Sequence, residues 1–412
     1  MTRSDFRFSA ASSLLLPLLL LLVIGTAVAG DKDCAASGEY SFVCGLGSAE
    51  DLVLVPGTKW IIASGFAPGA SIMLIDSQQK SWTNVYPSDS PRAMQDMKTY
   101  GACPGTPDPN NFVTHGLNIR AGEDGHSTLY VVGHGGREAI EVFDVDANGE
   151  QPVLTWTGCV MTPDGMEANS VASFSDGSLL ATIPLQTGRT ITEALGGAKT
   201  GGVYQWSPGD TGFEMIKGTE LPYANGIEVS SDEKEFYVAV SGGFNVISYS
   251  RSNPARQLRA SEPLNFIPDN LHMGSDGRLV TAGLIIDDPV CGNLADREFV
   301  LEDFASCPRP FVVRAIDPVT MEGIDIATSE AIETFSNITM GLQVGDEIWI
   351  GRTRGFPIAL RDRWVSRRHA VLRQKEGVLL LEDAGSRTGT IVNGRRIKPG
   401  QTVHVCGGDV IV

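Results

Sequence analysis

Residues 221–240 read LPYANGIEVSSDEKEFYVAV, and this stretch decides the fold. A short apolar run that ends at Val229 is followed by a polar turn at Asp232-Glu233. The turn is followed by KEFYVAV, a run rich in β-branched and aromatic residues. Two such runs joined by a short polar turn are typical of a β-hairpin. Asn225 stands just ahead of the first run, so we predict a hairpin with an amide side chain at its entrance.

The same pattern of a turn followed by a strand occurs six times along the chain. Its turns are Pro56-Gly57, Asp124-Gly125, Asp176-Gly177, Asp232-Glu233, Asp276-Gly277 and Gly345-Asp346. Asp-Gly between apolar runs indicates a hairpin, because glycine tolerates the positive φ of a tight turn. Strong helical periodicity is almost absent, which leaves a sandwich, a barrel or a propeller. Intervals of 44 to 69 residues favour four-stranded blades, two with insertions. We therefore predict an all-β chain with a six-bladed β-propeller.

A polar residue precedes each turn by seven to ten residues, in an otherwise apolar neighbourhood. These residues are Glu50, His115, Asn169, Asn225, the pair Asp269-Asn270, and Asn337. The innermost strands of a propeller line its central channel, so equivalent positions of successive blades converge on the axis. The repeats thus predict a cage of polar side chains at the centre.

The predicted cage is rich in oxygen donors. Five of its members offer side-chain oxygen: Glu50, Asn169, Asn225, Asp269 and Asn270. Hard oxygen ligands in this number suit Ca²⁺, which accepts six to eight of them. Taken alone, each residue is better explained as a turn or strand-end residue that satisfies backbone groups. Five at matching repeat positions favour a calcium site.

Two histidines add a candidate acid–base group. His115 occupies the repeat position of its blade, and His134 follows on the outgoing strand LYVVGH. A pair of imidazoles near a metal can relay a proton, since imidazole titrates near neutrality. The alternative for His134 is a satisfied core histidine.

The body resembles the paraoxonases and the wider gluconolactonase-like group of six-bladed propeller hydrolases. The matching stretches are SAEDLVLVPGTKWIIASG, VTHGLNIR, LYVVGH, EANSVA, LPYANGIEVSSDEKEFYVA and FIPDNLHMGSDGRLVTAG, between about residues 45 and 356. The resemblance implies that the five oxygen donors hold a catalytic calcium and that His115 and His134 form a proton-relay dyad. It also maps a second, structural calcium onto Asp51 and the backbone of Leu117. Where that family has an Asp after the third blade's Asn, this chain has Ser170.

The resemblance implies a calcium-dependent hydrolase of lactones or esters. Calcium would polarise the substrate carbonyl and stabilise the developing oxyanion, and the dyad would assist attack by water. Neither a G-x-S-x-G motif nor an H-E-x-x-H motif occurs, which disfavours serine-esterase and zinc-protease chemistry. The alternative is a non-catalytic propeller in which calcium only holds the channel together. Insertions near 66–112 and 286–310 are candidates for selecting the substrate.

The chain begins with features of export. A basic start, an apolar run from Leu14 to Ile24 and small residues at 27–29 predict a signal peptide over residues 1–29. A membrane anchor is the alternative, but the run is shorter than the roughly 20 residues that a spanning helix needs. We expect a secreted or periplasmic protein without a membrane span after cleavage.

Charge and cysteine usage divide the chain in two. The first 360 residues carry a net charge of −22, and residues 361–412 carry +5. The acidic body argues against nucleic acid or an anionic membrane as partner. Six cysteines precede the break, an even number that suits disulfides, and Cys406 follows it. Proximity suggests the pairs Cys34–Cys44 and Cys291–Cys307, although sequence does not settle the connectivity.

The basic tail resembles the forkhead-associated (FHA) domain, a small β-sandwich that reads phosphothreonine. The matching stretches are IGRTRGFPIALRDRWVSRRHAVL (350–372) and LEDAGSRTGTIVNGRRI (381–397). The resemblance implies phosphate contacts from Arg352, Ser366 and Arg367, which suit charge-assisted hydrogen bonds. It makes His369 a structural residue. Thr388 replaces the family's Asn, so one contact to the peptide is missing.

The residues at the junction between body and tail could belong to either part. Residues 346–360 fit both the last strands of blade six and the opening of the sandwich, and one segment cannot pair fully in both sheets. Because closure removes exposed edges, we predict that the propeller takes this segment. The propeller would then span residues 30–360 and leave 361–412 as an incomplete FHA-like fragment.

Overall fold

A computed structural model describes residues 42–67, 72–88, 90–295, 307–332, 338–342, 344, 347–351, 358–359, 365–366, 369–375, 378–405 and 411. The predicted signal peptide and Cys34 lie outside these residues, and so do Asn337, Arg352 and Arg367.

Five sheets follow one another along the described part of the body, each built on four antiparallel strands. The first contains β1 (Ala49–Leu54), β2 (Trp60–Gly65), β3 (Ile72–Asp76) and β4 (Ser81–Tyr86). The second contains β6 (Phe112–Ala121), β7 (His126–Gly135), β8 (Ala139–Asp146) and β9 (Val153–Met161), and β5 (Arg92–Ala93) pairs parallel to β9. The third contains β10 (Val171–Ser173), β11 (Leu179–Ile183), β12 (Gly202–Trp206) and β13 (Glu214–Met215).

The fourth and fifth sheets repeat the plan. The fourth contains β14 (Ala224–Val229), β15 (Glu235–Val240), β16 (Asn245–Ser250) and β17 (Gln257–Ala260). The fifth contains β18 (Leu271–Met273), β19 (Leu279–Leu284), β22 (Phe311–Ile316) and β23 (Gly323–Ser329). A small hairpin of β20 (Asp287–Asp288) and β21 (Gly292–Asn293) lies in the insertion before β22. A short helix α1 (Ile191–Leu195) follows β11, and a 3₁₀ turn (Ser241–Gly243) follows β15.

The first hairpin of each sheet turns where the sequence predicts it. Gly57, Gly125, Gly177 and Gly277 all have φ between 72° and 84°. In the fourth sheet Glu233 takes this position with a φ of 57°. Its carboxylate accepts hydrogen bonds from the N–H and hydroxyl of Ser175 and pairs with Arg120, which joins three sheets. These side-chain contacts offset the energetic cost of the positive φ at Glu233.

Two glycines bring neighbouring inner strands into backbone contact. The Gly116 N–H donates to the Asn169 carbonyl at 3.0 Å, and the Gly226 N–H donates to the Asp269 carbonyl at 3.2 Å. A Cβ on Gly226 would lie 2.4 Å from the Leu271 nitrogen. Because backbone cannot yield at such a distance, glycine is required there.

Residues 338–342 lie between the fifth and first sheets. The Asn270 N–H donates to the Thr339 carbonyl at 3.0 Å, and the Thr339 hydroxyl donates to the Glu50 carbonyl at 2.5 Å. Ile338 and Met340 are buried there. The inner strands therefore surround a common axis, with apolar side chains such as Ile62 and Val171 buried between the sheets.

The tail is a separate β structure. Its five-stranded sheet runs in the order β25 (Ile358–Ala359), β24 (Glu347–Gly351), β26 (Ala370–Lys375), β27 (Val378–Asp383) and β30 (Thr402–Val405). A hairpin of β28 (Thr390–Val392) and β29 (Arg395–Ile397) completes its described part. The prediction of an all-β chain with a propeller followed by a small sandwich is confirmed.

The prediction that the propeller takes residues 346–360 is wrong. β24 pairs antiparallel with β26, with Ile348 opposite Leu372 and Ile350 opposite Ala370, and β25 joins its other edge. One edge of β24 pairs with β26 and the other pairs with β25 at Ile350 and Gly351, so the structure places this strand in the tail sheet.

Two disulfides are described in full. Cys103 pairs with Cys159, which was not predicted, and Cys291 pairs with Cys307, which confirms one predicted pair. Cys44 is also disulfide-bonded. Among the described helices, none has the length and apolar character needed to cross a membrane.

The contact at Gly226 gives a test of the inward packing. We expect Gly226→Ala to lower the free energy of unfolding by about 1–3 kcal/mol, since the new methyl group has no room. Gly212→Ala is the matched control, because a Cβ at Gly212 meets nothing within 4 Å. Urea unfolding measures both variants; equal stabilities would contradict the described contact.

Candidate metal centre

A cavity of about 630 Å³ lies at the centre of the inner strands. Six of the predicted site residues line it: Glu50, His115, His134, Asn169, Asn225 and Asp269. Asn270 lies beside them and donates from its amide nitrogen to Glu50 Oε1 at 2.7 Å. The structure therefore brings all five predicted oxygen donors and both predicted histidines together.

Two buried carboxylates face this cavity without a cation from the described residues. Burial, reinforced by the charges of Asp269 and Asp51, raises the pKa of Glu50 well above its usual range. Burial also raises the pKa of Asp269. A hydrogen bond from Asn225 lowers this pKa, and the charge of Asp51 raises it further. A buried carboxylate is costly unless it is paired or bound to a metal. The two carboxylates thus lack a counterion.

The amide groups are arranged with their nitrogens engaged and their oxygens free. The Asn225 Nδ2 donates to the Ser241 hydroxyl at 3.0 Å, and the Asn270 Nδ2 donates to Glu50. Four buried side-chain oxygens have no hydrogen-bond partner among the described residues: Glu50 Oε2, Asn169 Oδ1, Asn225 Oδ1 and Asn270 Oδ1. An unsatisfied buried acceptor costs about 1–3 kcal/mol, so four neighbouring ones indicate that a group is missing.

The donor set fits a hard cation that prefers oxygen. Four orphaned oxygens and the Asp269 carboxylate offer the donor type and number that Ca²⁺ takes in proteins. Within the described part of the chain, no three His, Cys, Asp or Glu side chains form a metal-binding cluster. The site has only two carboxylates, and amide oxygens make up the remainder.

The position implied for a second calcium, at Asp51, differs from the central cage because its carboxylate oxygens have hydrogen-bond partners. The buried Asp51 carboxylate accepts from the N–H groups of Leu52 and Leu117 at 2.8 and 2.7 Å, and His272 Nε2 lies 2.8 Å from its Oδ1. Burial lowers the pKa of His272, but Asp51 and Glu228 outweigh it and raise the pKa to about 10. An imidazolium therefore balances the Asp51 charge. The Asp51 carboxylate therefore has protein partners in the described structure, unlike the orphaned oxygens of the central cage.

The histidine pair lies against the oxygen cage. His115 Nδ1 is 3.1 Å from His134 Nε2, while His115 Nε2 is 3.4 Å from Asn169 Nδ2 and 3.6 Å from Glu50 Oε1. Phe66 stacks on His115 with ring centroids 4.2 Å apart. Burial, then the neighbouring His134, lowers the pKa of His115 to about 3. His115 is thus neutral near pH 7.

Several residues at the site were not found from sequence. Phe66 and Tyr223 line the cavity, and Ser241 holds the Asn225 amide. Glu138 lies 2.5 Å from His134 Nδ1 through its Oε2. The one signal for Glu138 was its place four residues after His134. Tyr223 directly precedes the Ala224-Asn225 pair and has a φ of 56°, which is uncommon for a bulky residue.

The sandwich holds part of its predicted binding site in place. The Ser366 hydroxyl accepts from the Arg387 N–H at 2.9 Å, and the Ser366 N–H donates to His369 Nδ1 at 3.0 Å. His369 is buried, and its Nε2 lies 3.2 Å from the Gly389 carbonyl, which fits the structural role implied for it. The Asp383 carboxylate accepts from the Thr390 hydroxyl at 2.6 Å and from the Ser386 hydroxyl at 2.7 Å, which fixes the neighbouring loop.

In comparisons with known proteins, the tail matches a protein family. Residues 348–412 match the FHA domain family. An FHA domain-containing protein of Arabidopsis thaliana, At4g14490, is 35% identical over 68 residues, which are 16% of this chain and 18% of that protein. The chain thus spans less than a fifth of this curated relative.

Solved structures resemble each part of the chain. A luciferin-regenerating enzyme is similar over 69% of this chain and 76% of its own, with 14% identity and a TM-score of 0.41. A structure described as phosphothreonine-dependent FHA domain interactions is similar over 24% of this chain and 80% of its own, with 27% identity and a TM-score of 0.16. Likenesses at this level say nothing about activity.

The pairing of Asp51 with His272 leads to a prediction about the number of calcium ions that the chain binds. We expect calorimetric titration of the EGTA-treated chain to show one calcium site, because the orphaned carboxylate and amide oxygens around the central cavity of the described residues form one group. Asn169→Ala should weaken calcium binding about tenfold or more. Asn118→Ala is the control, since its Oδ1 already accepts from Ser173 at 2.6 Å. Two equivalents of bound calcium would contradict this assignment.

Proposed function

We propose that the propeller is a calcium-dependent hydrolase of lactones or esters. One observation carries the proposal: buried oxygens that have no partner among the described residues lie around the same cavity as a pair of contacting imidazoles. A cation site alone would serve stability, and an imidazole pair alone would serve packing. Their combination next to an open cavity supports hydrolysis.

The calcium would be held by Glu50, Asn169, Asn225, Asp269 and Asn270. Bound there, Ca²⁺ supplies a Lewis acid for a substrate carbonyl oxygen. The protein holds the amide oxygens in place beforehand, because Ser241 and Glu50 fix the nitrogens of Asn225 and Asn270. Such preorganisation is the usual source of electrostatic stabilisation in enzymes.

The imidazole pair would take the proton from the attacking water. His115 Nε2 faces the cage, and its Nδ1 contacts His134. As the water oxygen attacks the carbonyl carbon, one water proton moves to His115, and this proton then passes to the leaving alcohol oxygen as the C–O bond breaks. General-base assistance of this kind contributes about 10²–10⁴-fold to a rate.

The cavity wall suggests an apolar substrate group. Phe66, Leu185 and Ile267 line it together with Ile191 and Leu195 of α1. A lactone or ester with an alkyl or aryl group would bury apolar surface there while its carbonyl meets the cage. We also propose that the protein is exported. The disulfides Cys103–Cys159 and Cys291–Cys307 support this, because disulfides persist in oxidising compartments.

Turnover of simple lactones and aryl esters tests the hydrolase proposal. We expect EGTA or Asn225→Ala to abolish turnover, and His115→Gln to lower kcat/KM about 100-fold. His126→Gln is the matched control, because His126 is an exposed imidazole of the same sheet that pairs with Asp144. Unchanged turnover with EGTA or in Asn225→Ala would show the mechanism to be wrong. Calcium binding without turnover of any substrate would favour the non-catalytic propeller.

A second candidate function belongs to the tail. The FHA match over residues 348–412 and the fixed Ser366–His369 contact support recognition of a phosphothreonine peptide. Arg352 and Arg367 would supply the charge for the phosphate, as Arg does elsewhere. Threonine phosphorylation is mainly an intracellular mark, so this candidate conflicts with export.

Peptide binding by the full chain tests this candidate. If the tail reads phosphothreonine, Arg352→Ala should abolish binding of a phosphothreonine peptide in a fluorescence-anisotropy titration. Arg395→Ala, which alters an exposed arginine of β29, should bind as the unmodified chain does. Equal binding of the phosphorylated and unphosphorylated peptide would exclude the function.

A further inference from the structure

Glu138 lies on the outer side of the histidine pair. Its Oε2 is 2.5 Å from His134 Nδ1, and its side chain is 30% exposed, whereas that of His134 is 10% exposed. Glu138 does not line the central cavity. It therefore joins the buried imidazoles to solvent.

The backbone of Glu138 is fixed independently of its side chain. Its carbonyl accepts from the N–H of Thr162 at 3.1 Å and from the Thr162 hydroxyl at 3.2 Å. The neighbouring Arg137 guanidinium is turned away, since its Nε and Nη2 donate to Glu141 at 2.7 and 2.8 Å. The Glu138 carboxylate is thus positioned for His134 and is not neutralised by Arg137.

The contact between Glu138 and His134 determines which ring nitrogens of His134 and His115 carry a proton. An ionised carboxylate only accepts, so the His134 proton must sit on Nδ1 and its Nε2 must carry a lone pair. That lone pair accepts from His115 Nδ1–H, which leaves a lone pair on His115 Nε2. This lone pair is on the nitrogen that faces the cage, where Asn169 Nδ2 lies 3.4 Å from it.

We propose that Glu138 is a positioning residue that orders this relay and carries its proton to solvent. The inference rests on the proposed function. As water attacks the carbonyl carbon, its proton moves to His115 Nε2, the His115 Nδ1 proton moves to His134 Nε2, and the His134 imidazolium is paired with Glu138. When the C–O bond breaks, the leaving oxygen takes one proton and becomes the alcohol. The second water proton is released as the product acid ionises, and Glu138 is its exit.

Chemical rescue tests the role of the carboxylate. We expect Glu138→Ala to lower kcat at least about tenfold while KM and calcium affinity stay within about twofold, because neither the cavity wall nor the cage is altered. Added formate should restore part of kcat, since the site opens to solvent, and formamide should not. Glu150→Gln removes an exposed carboxylate from the same sheet and should behave as the unmodified chain.

Nitrogen NMR of ¹⁵N-histidine-labelled protein supplies a readout that needs no turnover. The His134 signals, identified by their loss in His134→Gln, should show a protonated Nδ1 in the unmodified chain and a changed tautomer in Glu138→Ala. If the unmodified chain hydrolyses nothing, the proposed function fails and this spectrum alone decides whether Glu138 sets the tautomer. An unchanged spectrum, or full kcat in Glu138→Ala of an active enzyme, overturns the inference. A loss of kcat that formate does not rescue also overturns it.

Discussion

The central constraint is the burial of two carboxylates and three amide oxygens on one axis. Glu50 and Asp269 face one central cavity, and four oxygens there have no partner among the described residues. A bound cation would neutralise the carboxylates and satisfy these oxygens, and without it burial favours the protonated carboxyls. The inner strands, the glycine contacts and the fixed amide nitrogens all serve to keep these oxygens together.

That constraint explains the repeats. Each described inner strand brings a polar side chain to the axis. In two of them a glycine follows directly, Gly116 and Gly226, and lets the next strand approach. Close approach is what brings residues from five sheets into one cage. The same packing sets His115 beside Asn169, so the proposed base and the proposed metal site come from one arrangement.

The sequence predicted the features that recur in every blade, namely the hairpin turns and the inward polar residues. The turns at Gly125 and Gly277, and inward residues such as Asn225, carry a period and could be aligned with one another. It missed Glu138 and Phe66, because contacts made once leave no periodic signal. It also could not foresee that His272 balances Asp51, since that contact joins residues 221 positions apart. The pairing of β24 with β26 depended on the relative stability of two sheets, which a strand pattern does not give.

The most direct measurement is a crystal structure of the full chain grown with calcium, with anomalous scattering to locate the metal. The account predicts one calcium on the axis, about 2.3–2.6 Å from oxygens of Glu50, Asn169, Asn225, Asp269 and Asn270. It also predicts His272 against Asp51 in place of a second ion. An axis that holds only water, with the five side chains hydrogen-bonded to it or to one another, would contradict the account.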